Sequence, residues 1–169
     1  ELLNKKIDIA VHALKDLPSK ETSGLETKIF LKRNDPRDVF ISLDYNSIYD
    51  LKAHSVIGIS SFRRTAQLGI LRKDLNIKLI RGNVDTRIKK LEQKKFDAIV
   101  LAYAGVKILG FENKISKIFS VEEMLPCVGQ GVIALQTRKN DENILKLISK
   151  ANDQNTFNCV LAEREMLKT

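Results

Sequence analysis

No tryptophan occurs in the sequence, and aromatic residues make up only 6% of it. That leaves few platforms on which nucleic-acid bases could stack, so a nucleic-acid partner would rest on charge alone and is not expected. Only two cysteines are present, Cys127 and Cys159, far apart and without a CxxC or Cys/His cluster around either. A disulfide scaffold and a zinc finger are thereby excluded, and a reducing, cytoplasmic setting is expected. No apolar run approaches the roughly 18 residues of a membrane-spanning helix, so no membrane partner is expected. Neither GxGxxG nor GxxxxGK[ST] occurs, which leaves dinucleotides and P-loop nucleotides without support. The first residues, Glu1-Leu2-Leu3-Asn4-Lys5-Lys6, have no initiator methionine and no signal-peptide layout. They read as the end of an amphipathic helix, and the chain as a piece of something longer.

What is present describes a folded globular chain. Of 169 residues, 43% are hydrophobic and 30% charged, close to the average for soluble domains. The formal charge is +8, which calls for an acidic partner or substrate without saying which.

Ile7 to His12 alternates as a strand, and Leu17-Pro18 closes the segment after it. Leu25 to Leu31 and Val39 to Leu43 are further strands, separated by a polar stretch, residues 32–38, read as a linker or crossover. Val56 to Ile59 is a short buried strand, Ser60-Ser61 can cap a helix over Phe62 to Leu71, and Ile77 to Ile80 is the next strand. A helix over Val84 to Lys94, a strand over Phe96 to Ala102 and a helix near Gly105 to Leu109 come next. Such alternation predicts a parallel, helix-covered sheet. After residues 125–131 come a strand over Val132 to Gln136 and helices over Asp141–Ala151 and Gln154–Leu167. The two punctuated stretches bracket one α/β unit, so the simplest topology inserts one domain into another.

Ligands of open parallel sheets bind beyond the carboxyl ends of the strands. Ser60, Ser61, Arg63 and Arg64 come after one strand, and Arg81, Gly82, Asn83, Asp85 and Arg87 after the next. Both groups fall on one edge, beside helix N-termini that favour anions. Guanidiniums there can hold carboxylates or phosphates bidentately, and four together stand out in a chain with 20 Lys and 9 Arg. The alternative is four solvated surface charges. Lys15-Asp16 comes after the first strand; its carboxylate could stabilise a developing cation or relay a proton, or the pair could be an ordinary exposed turn. His12 reads as a core histidine rather than a base. Gly129-Gln130-Gly131 is a hinge or a ligand contact, and both readings stay open. Cys127 and Cys159 read as buried, inert thiols.

These segments together resemble one family, hydroxymethylbilane synthase, also called porphobilinogen deaminase. Val11-His12-Ala13-Leu14-Lys15-Asp16-Leu17-Pro18 resembles its VHSLKDLP signature, and Arg37-Asp38-Val39-Phe40-Ile41-Ser42 its RDAFVS segment. Residues 57–68 are similar to its IGTSSLRRxAQL, and Arg81-Gly82-Asn83-Val84-Asp85-Thr86-Arg87 matches its RGNVDTR without a change. Asp97 to Ala102 is similar to its DAIILA, and Leu125 to Gly131 to its LPAVGQG. The match keeps this order from residue 7 to about residue 165.

The resemblance implies an α/β fold of two periplasmic-binding-protein-like domains, the second inserted into the first and joined by two hinge segments. Residues 1–31 and 132–169 would form part of domain 1, and 37–125 domain 2. A third domain, and the GGC-type cysteine that carries a dipyrromethane primer, would lie beyond residue 169, and a first strand before residue 1. The segment by itself is therefore expected to be inactive. The family condenses four porphobilinogen molecules into linear hydroxymethylbilane, releasing ammonia at each step. Its partners are porphobilinogen and the growing polypyrrole, and the full-length chain would be a monomer. Each pyrrole carries an acetate and a propionate, so the resemblance makes Lys15, Ser61, Arg63, Arg64, Arg81 and Arg87 partners of those carboxylates. Asp16 would be the catalytic aspartate, facing the cationic azafulvene left by ammonia, and Gln130 a second contact at the hinge. No metal is expected. A non-catalytic anion-binding module of the same fold is the alternative.

Overall fold

The computed structural model describes residues 1–167. Along them run β1 (Ala10–Ala13), β2 (Leu25–Phe30), β3 (Asp38–Ser42), β4 (Val56–Ile59), α1 (Phe62–Leu71), β5 (Asn76–Leu79) and α2 (Val84–Glu92). The chain continues through β6 (Ala98–Ala102), α3 (Tyr103–Ile108), β7 (Lys117–Ile118), β8 (Ile133–Arg138), α4 (Glu142–Ile148) and α5 (Gln154–Met166). The residues divide into two compact units, Glu1–Pro36 with Cys127–Thr169, and Arg37–Pro126.

The Arg37–Pro126 unit is built on a five-stranded sheet of order β5-β4-β6-β3-β7. All five residues of β6 are buried, as befits a strand covered on both faces. One core lies around Phe40, Ile57, Leu68 and Phe119, and another around Val39, Ile88, Ile99 and Val106. The expected parallel sheet is only partly realised. β4 runs parallel to β5 and β6, but β3 runs antiparallel to both β6 and β7. The reason is local: only β4, β5 and β6 each lead into a helix that can return the chain in the same direction. Asp38, placed by sequence in a linker, is the first residue of β3. α2 stops at Glu92, with Lys94 in the left-handed region (φ 55°).

In the other unit the sheet order is β1-β8-β2, with β8 antiparallel to both neighbours. Leu14, Phe30, Val132, Ala134 and Val160 form its core, and the Phe30 and Phe157 rings lie 5.9 Å apart, bringing α5 against β2. β1 starts three residues later than its alternation predicts. The Arg138 guanidinium takes the carbonyls of Leu2 (3.1 Å) and Ile7 (2.8 Å), fixing the incoming chain without a strand ladder. Residues 2–5 form one turn, closed by Lys5 N–H to the Leu2 carbonyl at 3.0 Å, rather than the tail of a longer helix. The helix read over 141–151 is α4 and then a separate 3-10 turn, Ser149–Ala151.

Candidate functional site

At the end of β4 the chain turns into α1 through Ser61, whose Oγ accepts the Arg64 N–H at 3.5 Å as an N-cap. Arg63 and Arg64 thus sit in the helix's first turn. Beneath them lies Asp38, fully buried at the start of β3. Its Oδ2 accepts from Arg63 Nη2 at 2.6 Å, and its Oδ1 from Arg64 Nη2 (2.7 Å) and Nε (3.1 Å). Arg64 Nη1 also donates to the Val100 carbonyl on β6 at 3.3 Å, and Arg63 Nη1 to the Leu125 carbonyl. The two arginines are not equivalent. The Arg64 side chain is 7% exposed and turned inward, whereas Arg63 remains 22% exposed at the edge.

The next corner, from β5 into α2, is built differently. Gly82 has φ +117°, and a Cβ there would come within 2.6 Å of the Thr86 methyl, so only glycine makes this turn without strain. Asn83 occupies the N-cap of α2 but makes no side-chain cap bond. Arg87, one turn in, donates Nε to the Gly82 carbonyl (2.7 Å) and Nη1 to Ser60 Oγ (2.8 Å). That second bond joins the two corners into one edge. Arg81 is exposed, with its carbonyl accepting Lys90 Nζ at 2.8 Å. Among the described residues neither Arg81 nor Arg87 bonds a carboxylate. Burial first, and then the charge of Arg64, push the Arg87 guanidinium below its usual pKa, so an anion placed here would relieve a standing penalty.

In the other unit, β1 ends in a 3-10 turn, Leu14–Asp16. Leu14 anchors it: its N–H donates to the Val132 carbonyl at 2.9 Å, and its side chain packs over Gly129. Gly129 has φ +71°, and a Cβ on it would come within 2.8 Å of Leu14 Cγ. With Leu14 buried, Lys15 and Asp16 are left on the surface. Gln130 is 1% exposed, and its Nε2 donates to the Pro36 carbonyl at 2.5 Å. Its own carbonyl accepts Arg33 Nε at 3.0 Å. Gln130 is thus held between the Pro36 carbonyl and the Arg33 guanidinium, beside the turn that its glycine neighbours make.

Sequence reasoning missed two groups. Asp38 was hidden because a carboxylate in a polar stretch reads as solvated; its one signal was its place immediately before a run of buried apolar residues. Glu163 was the other. It pairs with Arg33, and its Oε2 accepts the Gly129 N–H at 2.7 Å, steadying the segment that supports Leu14. The thiols depart from expectation as well. Cys127 is half-buried and Cys159 exposed, because α5 turns Thr156 and Val160 inward instead. His12 is half-buried on β1, and its Nε2 is enclosed without a hydrogen-bond partner.

Residues 1–146 match the family model described as porphobilinogen deaminase, dipyromethane cofactor binding domain. A porphobilinogen deaminase of Rickettsia akari is 48% identical over 168 residues, which are 99% of this chain and 56% of that relative. One of Bacillus subtilis is 46% identical over 167 residues, 98% of this chain and 53% of the relative. The chain therefore spans about half the length of the curated relatives it matches. Among solved structures, the methionine binding protein MetQ superposes with a TM-score of 0.59 at 12% identity, over 97% of this chain and 77% of that one. An arginine-specific periplasmic binding protein of Salmonella typhimurium superposes with a TM-score of 0.53 at 15% identity, over 92% and 69%. The fold is that of periplasmic binding proteins.

Proposed function

The chain belongs to the porphobilinogen deaminase family, and from that premise we propose that it is the primer- and substrate-binding part of a hydroxymethylbilane synthase. The whole protein would join four porphobilinogen molecules into the linear tetrapyrrole of the haem pathway, with loss of ammonia at each step. The observation that carries this reading is the β5–α2 corner. Arg87 is held by Ser60 and Gly82 in a position that disfavours its own charge, Arg81 stands exposed beside it, and no carboxylate within the described residues answers either. An acidic ligand with several carboxylates fits that donor set, and a dipyrromethane carries four of them. When bound, that group supplies the pyrrole terminus from which the chain is extended.

The protein's own residues divide the work. Arg63, Arg81 and Arg87 bind and orient carboxylates, and Ser61 fixes the helix start that presents Arg63. Lys15 contributes a further cation beside Asp16. The Asp16 carboxylate lies exposed at the tip of an anchored turn, where it can stabilise the positive charge that develops as an amine departs and accept a proton from a pyrrole nitrogen. Arg64 serves from beneath, as a counter-ion, and Gln130 as a brace. Neither Cys127 nor Cys159 is assigned to primer attachment. The two free thiols fit a reducing cytoplasm, and we take the full-length protein as a monomer there.

The test is the denatured intact mass of the full-length gene product containing this segment. An excess of two pyrrole units after exposure to porphobilinogen is expected. A bare mass under the same conditions overturns the synthase reading and leaves an anion-binding module.

A further inference from the structure

We infer that Asp38 is a positioning residue for the primer site: its buried carboxylate aims Arg63 at the ligand while Arg64 neutralises it from below. The inference rests on the reading of the chain as a primer-binding part. Asp38 is 0% exposed, so it can touch no ligand itself. Buried carboxylates need partners, and Asp38 has two guanidiniums where one would balance its charge. The pair Asp38–Arg64 is closed, since Arg64 is buried and further held by the Val100 carbonyl. The second cation, Arg63, sits at the exposed edge of this cluster, with its side chain 22% exposed.

Geometry limits where that charge can point. One Nη of Arg63 is fixed by Asp38 Oδ2 and the other by the Leu125 carbonyl, while Nε is enclosed without a partner. A guanidinium has five N–H donors in one plane. With these anchors in place, the donors still open belong to the two Nη atoms at the 22% of the side chain that remains exposed. An arginine on a helix surface otherwise samples many rotamers and loses that freedom on binding. Asp38 removes that freedom beforehand.

The experiment uses the full-length gene product, prepared without primer, as parent, Asp38→Asn and Asp38→Glu. The readout is the porphobilinogen concentration at which half of the chains acquire primer mass, with thermal melting measured in parallel. Asp38→Asn keeps the shape, but its amide nitrogen faces a guanidinium; the half-loading concentration is expected to rise at least tenfold. Asp38→Glu keeps the charge on a longer arm and is expected to shift it several-fold, with melting closer to the parent, which covers the case in which Asn prevents folding. A merely structural role lowers melting and yield but leaves the half-loading concentration of the folded protein unchanged, and that result overturns the inference. A parent that never acquires primer overturns the functional reading beneath it, and the inference falls with it, so the two failures are told apart.

Discussion

The β4–α1 and β5–α2 corners stand side by side on one sheet, each opens a helix, and each carries two arginines. At the first, a serine caps the helix, and a buried carboxylate gathers both guanidiniums, one of them itself buried. At the second, the cap residue makes no side-chain cap bond, and among the described residues no carboxylate meets either arginine. The same residue type is thus gathered onto an internal carboxylate in one place and left without one, among the described residues, in the other. What decides between them is the strand opposite: β3 brings Asp38 beneath the first corner, whereas β5 is an edge strand with nothing comparable beyond it.

The sharpest way to break this contrast is Arg64→Leu. Stripping one partner from a buried ion pair typically costs about 3–5 kcal/mol, and unfolding of this unit in urea should register a loss of that order. Arg81→Leu is the matched control, expected to stay within about 0.5 kcal/mol. Equal losses would erase the distinction between the corners. Binding should show the reverse order. On the proposed function, Arg87→Leu removes a charge-assisted contact worth about 1.5–3 kcal/mol, so the full-length protein should need roughly 10- to 100-fold more porphobilinogen for primer loading.

The helix caps give a finer comparison. Ser61→Ala should destabilise by about 0.5–1 kcal/mol, at the low end for a cap because its bond is long. Asn83→Ala should cost only a few tenths, and a thermal melt of the two variants would separate them. The smallest effect lies at the other end of α1. There the Arg72 side chain holds the Asp74 carboxyl down to about 2 from 3.8, through a hydrogen bond at 2.7 Å. A carboxyl depressed in the folded state adds stability above its ordinary range, and that contribution is lost as the pH falls from about 4 toward 2. Asp74→Asn should flatten the acid limb of a plot of urea midpoint against pH, while Arg81→Leu should leave it alone.

Much of this was legible in the chain. Period and punctuation located β4, α1 and β3 to within a residue or two, and Ser61 as a cap could be read from its place before an apolar-periodic run. The bond from Arg87 to Ser60 puts both arginine-bearing corners on one edge, as their positions after successive strands suggested. Their division was not legible. The partner of Arg64 lies 26 residues earlier in the chain, and no local signal ties a carboxylate in a polar stretch to a helix not yet begun. The same holds for Gln130. Its glycine neighbours describe a turn, but the carbonyl that holds its amide belongs to Pro36, 94 residues away. The mixed direction of the larger sheet also escaped, because the alternation of strands and helices begins only after β3.

The strand pairings set a timetable for synthesis. Every ladder of the larger sheet closes within residues 37–126, one uninterrupted stretch, so this unit can complete its sheet while the ribosome is still adding later residues. The smaller sheet cannot. Its middle strand is β8, and both β1 and β2 must wait, more than a hundred residues after Ala10 is made, for that strand to emerge. Such distant pairings are slow to form and leave apolar edges uncovered meanwhile. In the cell, then, β1 and β2 are made before the larger sheet and paired after it, and the interval between is when chaperones and proteases would meet them.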